Sequence, residues 1–118
     1  VIEIGSRTRR LPAPAHVVWA SLVEPRRPGA RAWLDLLADE VDPTVVSATA
    51  PTRVVWSSLW PGRPDDEIYL DLSRVGLETA LGFTLLTPDE MPDEATTNHL
   101  RHRLNRLLFG DLRLSYGQ

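Results

Sequence analysis

Residues 54–72 read VVWSSLWPGRPDDEIYLDL, two alternating apolar runs on either side of a turn. Before the turn, Val54, Trp56, Ser58 and Trp60 fall on one face of an extended chain, with Val55, Ser57 and Leu59 on the other. The turn, PGRPDD, holds two prolines and a glycine, which restrict or relax φ and so interrupt a strand. After it, Ile68, Leu70 and Leu72 alternate with Tyr69, Asp71 and Ser73. Period-two alternation across a short connection predicts an antiparallel hairpin with one apolar face.

The neighbouring segments extend that sheet. TVVSATA, residues 44–50, is rich in β-branched residues and stops at Pro51. Gly76 marks a tight turn, after which Leu77, Thr79, Leu81, Phe83 and Leu85 share a face. Residues 2–10 open with Ile2 and Ile4 and predict a first strand. Next, in LPAPAHVVWASLVEP, Pro14 suits the start of a helix, Ala15, Val18, Trp19 and Leu22 share one side, and Pro25 ends it. RAWLDLL, residues 31–37, is expected to form a second short helix presenting Trp33, Leu34 and Leu37. After the acid- and threonine-rich TPDEMPDEATT, Leu100, Leu104, Leu107 and Leu108 form a helical stripe. Gly110 is expected to stop that helix and leave residues 111–118 as a short extended tail.

This order predicts an α+β fold: a curved antiparallel sheet of about five strands packed on a long C-terminal helix, with two short helices after the first strand. If the sheet curves more than the helix, the room between them is a cavity. Its expected lining is Trp56, Trp60, Ile68, Leu70, Leu72, Leu81, Phe83, Leu100 and Leu104. The two tryptophans could stack on a flat guest, and plain core filling explains them as well.

The stretch LPAPAHVVWASLVEP, with Pro14, Ala15, Val18, Trp19, Leu22 and Pro25, resembles the START-like (SRPBCC) helix-grip superfamily, in particular its polyketide cyclase/dehydrase branch. Trp33, ATAPTRVVWSS and GLETALGFTLLTP add to the likeness, which runs over residues 2–109. The resemblance implies a helix-grip fold that binds a small apolar or amphipathic molecule between sheet and helix. Such proteins usually carry two more strands, so a hairpin between Leu37 and Thr44 is expected to be missing. The uncovered sheet edge would then suit a second copy in a homodimer or the chain's own tail. No catalytic residue carries over.

Composition narrows the functional classes. At 118 residues the chain is expected to be a single domain, 1–118, and 42% hydrophobic with 25% charged residues reads as globular. All thirteen basic residues are arginine, scattered through a chain of net charge −3, which argues against a nucleic-acid surface. No apolar run approaches a membrane span. Cysteine is absent, removing disulfides and thiolate metal sites. The opening VIEIGSRTRR is unlike a signal peptide, so a cytoplasmic location is expected.

No cofactor or metal is expected. His99 and His102 are three residues apart but face away from the leucine stripe, and His16 has no evident acid–base partner. Arg101 and Arg103 are expected to border the stripe, their stems covering the apolar seam. Three functions stay open: a non-catalytic apolar-ligand binder, a cyclase/dehydrase-type enzyme, and an interaction module using the groove. An enzyme would need a polar group inside, from Tyr69, Asp71, Arg53 or Glu78; a one-residue register slip would bury Tyr69 and Asp71 together.

Overall fold

The computed structural model describes residues 1–117. Strands β1 (Ile2–Leu11), β2 (Val45–Thr49), β3 (Arg53–Ser57), β4 (Glu67–Val75) and β5 (Glu78–Thr87) form one antiparallel sheet in the order β1-β5-β4-β3-β2. The first strand closes on the last, so β4 and β5 lie inside the sheet and β2 is left on an open edge. Val54 stands opposite Leu70, and Leu70 opposite Phe83. Trp56, Ile68 and Leu85 form the next row. Strand β5 alternates half-buried and buried along its whole length, as a sheet with one covered face requires.

That face is covered by helix α1 (Ala15–Val23) and by the C-terminal helical run. The run comprises α2 (Glu94–Arg106), a π-helical segment (Leu107–Leu112) and α3 (Arg113–Ser115). Asp93 caps α2, its carboxylate accepting from the Thr96 amide at 2.7 Å. Leu100, Leu104, Leu107, Leu108, Phe109 and Leu112 are all buried, and Phe109 meets Phe83 of β5 with ring centroids 6.1 Å apart. Trp56 donates its indole N–H to the Leu22 carbonyl at 2.8 Å, tying β3 to the end of α1.

Five expectations need correction. Residues 31–37 form neither helix nor strand: two of their backbone groups, the Leu37 amide and the Asp35 carbonyl, are met by side chains in place of helical bonds, as described below. Residues 111–115 are helical, not extended. Gly110 continues the helix, because the wider π turn re-phases it so that Phe109 and Leu112 reach the core along with Leu107 and Leu108. Strand β3 ends at Ser57 rather than Trp60; Ser58 accepts from the Trp60 amide at 3.0 Å, and this local bond turns the chain. Leu77 lies in the β4–β5 turn and is 89% exposed, while Thr79 is buried and donates to the Ala13 carbonyl at 2.7 Å.

Replacing Leu104 with alanine should lower the unfolding free energy by about 2–5 kcal/mol in urea titrations, because the side chain is fully buried. Leu77→Ala, at the exposed turn, should change it by no more than about 0.5 kcal/mol.

Candidate functional site

Residues 31–44 cross from α1 to β2 beside the C-terminal helix. Trp33 and Leu34 are both buried, and Trp33 stacks on Trp56 with centroids 6.1 Å apart and planes 20° from parallel. Further along, Glu40 turns inward. Its side chain has no exposed surface, and its carboxylate accepts from the Leu37 amide at 2.9 Å and the Trp60 indole at 3.2 Å. Arg103 of α2 completes the set with a two-pronged contact, Nε at 2.9 Å and Nη2 at 2.8 Å. The same Nη2 donates to the Asp35 carbonyl at 3.1 Å.

Burial alone would raise the Glu40 pKa. The hydrogen bonds from Arg103 and Leu37, with the Arg103 charge and the Trp60 indole, outweigh it and hold the carboxyl below the ordinary glutamate range. The Arg103 guanidinium is correspondingly raised, chiefly by its hydrogen bond to Glu40. Arg103 is therefore not a solubilising border of the stripe, because Glu40 draws its charge inside. On a helical wheel it lies about 60° from Leu100 and about 40° from Leu107, so its inward position was visible in the spacing. Arg101 does border the seam: its stem lies over Gly5 of β1, where a Cβ would come within 2.6 Å of Cγ.

Two adjoining clefts open at this end of the fold. The larger, about 400 Å³, is bounded by Arg31, Trp33, Leu34, Asp35, Asp111 and Leu114 among others. The smaller, about 150 Å³, shares Arg31, Trp33 and Ser115 with it and runs toward Val17 and Ser21 of α1. Tyr116 closes that side, its hydroxyl donating to Ser21 Oγ at 2.9 Å. Burial pushes the Asp111 carboxyl up, and the Asp35 charge adds to this against the pull of Arg106 and Arg103. Trp33 Nε1 is buried and has no hydrogen-bond partner among the described residues.

Trp56, Trp60, Ile68, Leu70, Leu72, Leu81, Phe83, Leu100 and Leu104 all belong to one core cluster and are at most 6% exposed. They pack together between sheet and helix, and the clefts at Trp33 border other residues. Tyr69, Asp71 and Glu78 are half-buried on the opposite face and Arg53 is exposed. Arg53 pairs with Asp71 at 2.7 Å and lies 5.1 Å from the centre of the Tyr69 ring, so the register carries no inward Tyr–Asp couple. His16, His99 and His102 are exposed. Among the described residues no three His, Cys, Asp or Glu side chains converge on a metal position, and no helix is long and apolar enough to cross a membrane. Glu40, Asp111 and the open groove went unnoticed in the sequence, since an isolated acid carries no sign of burial.

Neither a family model nor a curated protein sequence matches the chain. Solved structures do. CalU16 from Micromonospora echinospora superposes with a TM-score of 0.60 at 22% identity, over 95% of this chain and 81% of that one. A protein from Nitrosospira multiformis gives 0.63 at 16% identity, over 93% of each chain. The Aha1 dimer from Colwellia psychrerythraea gives 0.60 at 14% identity, over 93% of this chain and 98% of that one. The fold is the helix-grip fold. The helix-grip sheet here has five strands, with no strand between residues 31 and 44.

Because the Glu40 pKa is lowered on folding, its stabilising contribution is complete above the ordinary glutamate value of 4.5 and is lost as pH falls through the lowered one. Asp111, with its pKa raised, works in the opposite sense: its penalty is absent below the ordinary aspartate value of 3.8 and is complete once pH has risen past the raised folded one. Glu40→Gln should cost about 3–5 kcal/mol at neutral pH by leaving Arg103 buried and unpaired. Denaturant titrations should show a flatter loss of stability on the acid side in this variant than in the parent.

Proposed function

We propose that the chain is a non-catalytic binding protein for a small apolar or amphipathic molecule, held between the sheet and the C-terminal helix. The observation that carries this reading is the Trp33–Trp56 stack. It stands at the junction of an aromatic-rich interior and an open cleft of about 400 Å³, within the size range of small-molecule sites. The likeness to solved helix-grip structures supports the architecture. A guest would enter beside Trp33 and displace part of the contact among Trp56, Trp60 and the leucines of β4, β5 and α2. Residues 31–44, joined to α2 by Glu40, form the side wall. A cyclase/dehydrase-type reaction is less well supported, since Tyr69, Asp71, Arg53 and Glu78 lie off the covered face.

A second reading, self-association, is favoured by the β2 edge. The strand carries no charged residue, Val45 and Val46 are exposed, and its outer side has no partner strand among the described residues. The Colwellia relative is described as a dimer. Sedimentation velocity separates the readings, with a monomer arguing against this second one.

Nile red, a neutral dye whose emission reports an apolar environment, should bind the folded chain and quench tryptophan emission. Trp56→Phe or Trp60→Phe, milder than truncation to alanine, should weaken binding several-fold while unfolding stays cooperative. Absence of binding, or unchanged affinity in both variants, would falsify the interior site.

A further inference from the structure

We infer that the groove around Trp33 seats the uncharged hydroxyl head of an amphipathic ligand; this rests on the reading that the chain binds such a molecule. Trp33 is 6% exposed and lines both clefts, yet its indole N–H has no partner among the described residues. Buried donors are nearly always satisfied, and an indole N–H can only donate. The nitrogen itself is closed off from solvent, so a ligand's acceptor oxygen completes it by displacing the side chains that cover it. The same cleft is lined by Asp35 and Asp111, whose carboxylates accept when ionised. The site thus asks for one group that accepts from Trp33 and donates to an aspartate, and a hydroxyl does both.

Charge selects against ions of either sign. The two aspartates stand with Arg31 at the rim and with Arg106, 3.6 Å from Asp111. An anion meets Asp35 and Asp111; a cation meets Arg31 and Arg106. For the ligand's apolar body the groove offers Leu34 and Leu114, and Leu114 is left 59% exposed at the cleft wall. The π turn at Leu107–Leu112 sets the phase in which Asp111 and Leu114 follow the buried leucines. Among the described residues, no other cleft places an unpartnered buried donor beside carboxylates.

The test uses the full chain and three ligands that share one ring system: 2-naphthol, 2-naphthoate and protonated 2-naphthylmethylamine, titrated at pH 7 by calorimetry and by the indole N–H resonances. 2-Naphthol should bind about tenfold tighter than either ion and shift the Trp33 indole resonance. Trp33→Phe, which keeps a ring on Trp56 and removes the donor, should weaken 2-naphthol about fivefold. Leu114→Ala, at an exposed position, should weaken all three ligands alike. Equal affinities for the three, or an unmoved Trp33 resonance, overturns the inference, and so does unaltered 2-naphthol binding in folded Trp33→Phe. If Trp33→Phe fails to fold, the parent's resonance shift and the Leu114→Ala series decide. Nile red binding without a preference for 2-naphthol removes the groove but keeps the interior site. Failure of both dye and naphthol removes the two together.

Discussion

The Glu40 carboxylate is shut away from water and accepts four hydrogen bonds, two from Arg103 and one each from Leu37 and Trp60. A buried charge is tolerated only when paired and fully hydrogen-bonded, so the positions of these four residues depend on one another. Through them α2, the middle of the 31–44 crossing and the turn after β3 are held together. The crossing needs no helix or strand of its own, because Glu40 and Arg103 meet part of its backbone. The leucine stripe supplies most of the apolar burial, and the ion pair adds direction to a contact that is otherwise nonspecific in register.

The groove follows from the same arrangement. Trp33 stacks on Trp56 and lines both clefts. The helix then passes through its π turn and places Asp111, Leu114 and Ser115 opposite. An aromatic floor, an unmet donor and balanced charges come together at the point where the interior of a helix-grip fold is nearest to solvent. The proposed binding function rests on this junction, since a shared fold alone assigns no activity.

Much of the sheet was legible because alternation and turn residues agree. Leu70, Phe83 and Trp56 lie where a period of two puts them, and the leucines of α2 lie where 3.6 does. The misreadings have local physical causes. Trp33 and Leu34 look like a helix face, but Pro28-Gly29 and Pro43 leave a short stretch in which Glu40 takes the Leu37 amide and the distant Arg103 takes the Asp35 carbonyl. Gly110 looks like a stop, yet glycine ends a helix only by leaving helical φ, and here it stays in. Arg103 was placed at the border by its charge, although its angle on the helix put it inside. Nothing near Glu40 in sequence announces a partner 63 residues away.

The most direct measurement is a double-mutant cycle on Glu40→Gln and Arg103→Met, read by equilibrium unfolding at neutral pH. If the pair fixes the crossing against α2, removing both sides together should cost much less than the sum of the two single changes, with a coupling of about 2 kcal/mol or more. Additivity within about 0.5 kcal/mol would contradict it, and would mean that apolar packing alone sets the wall of the groove.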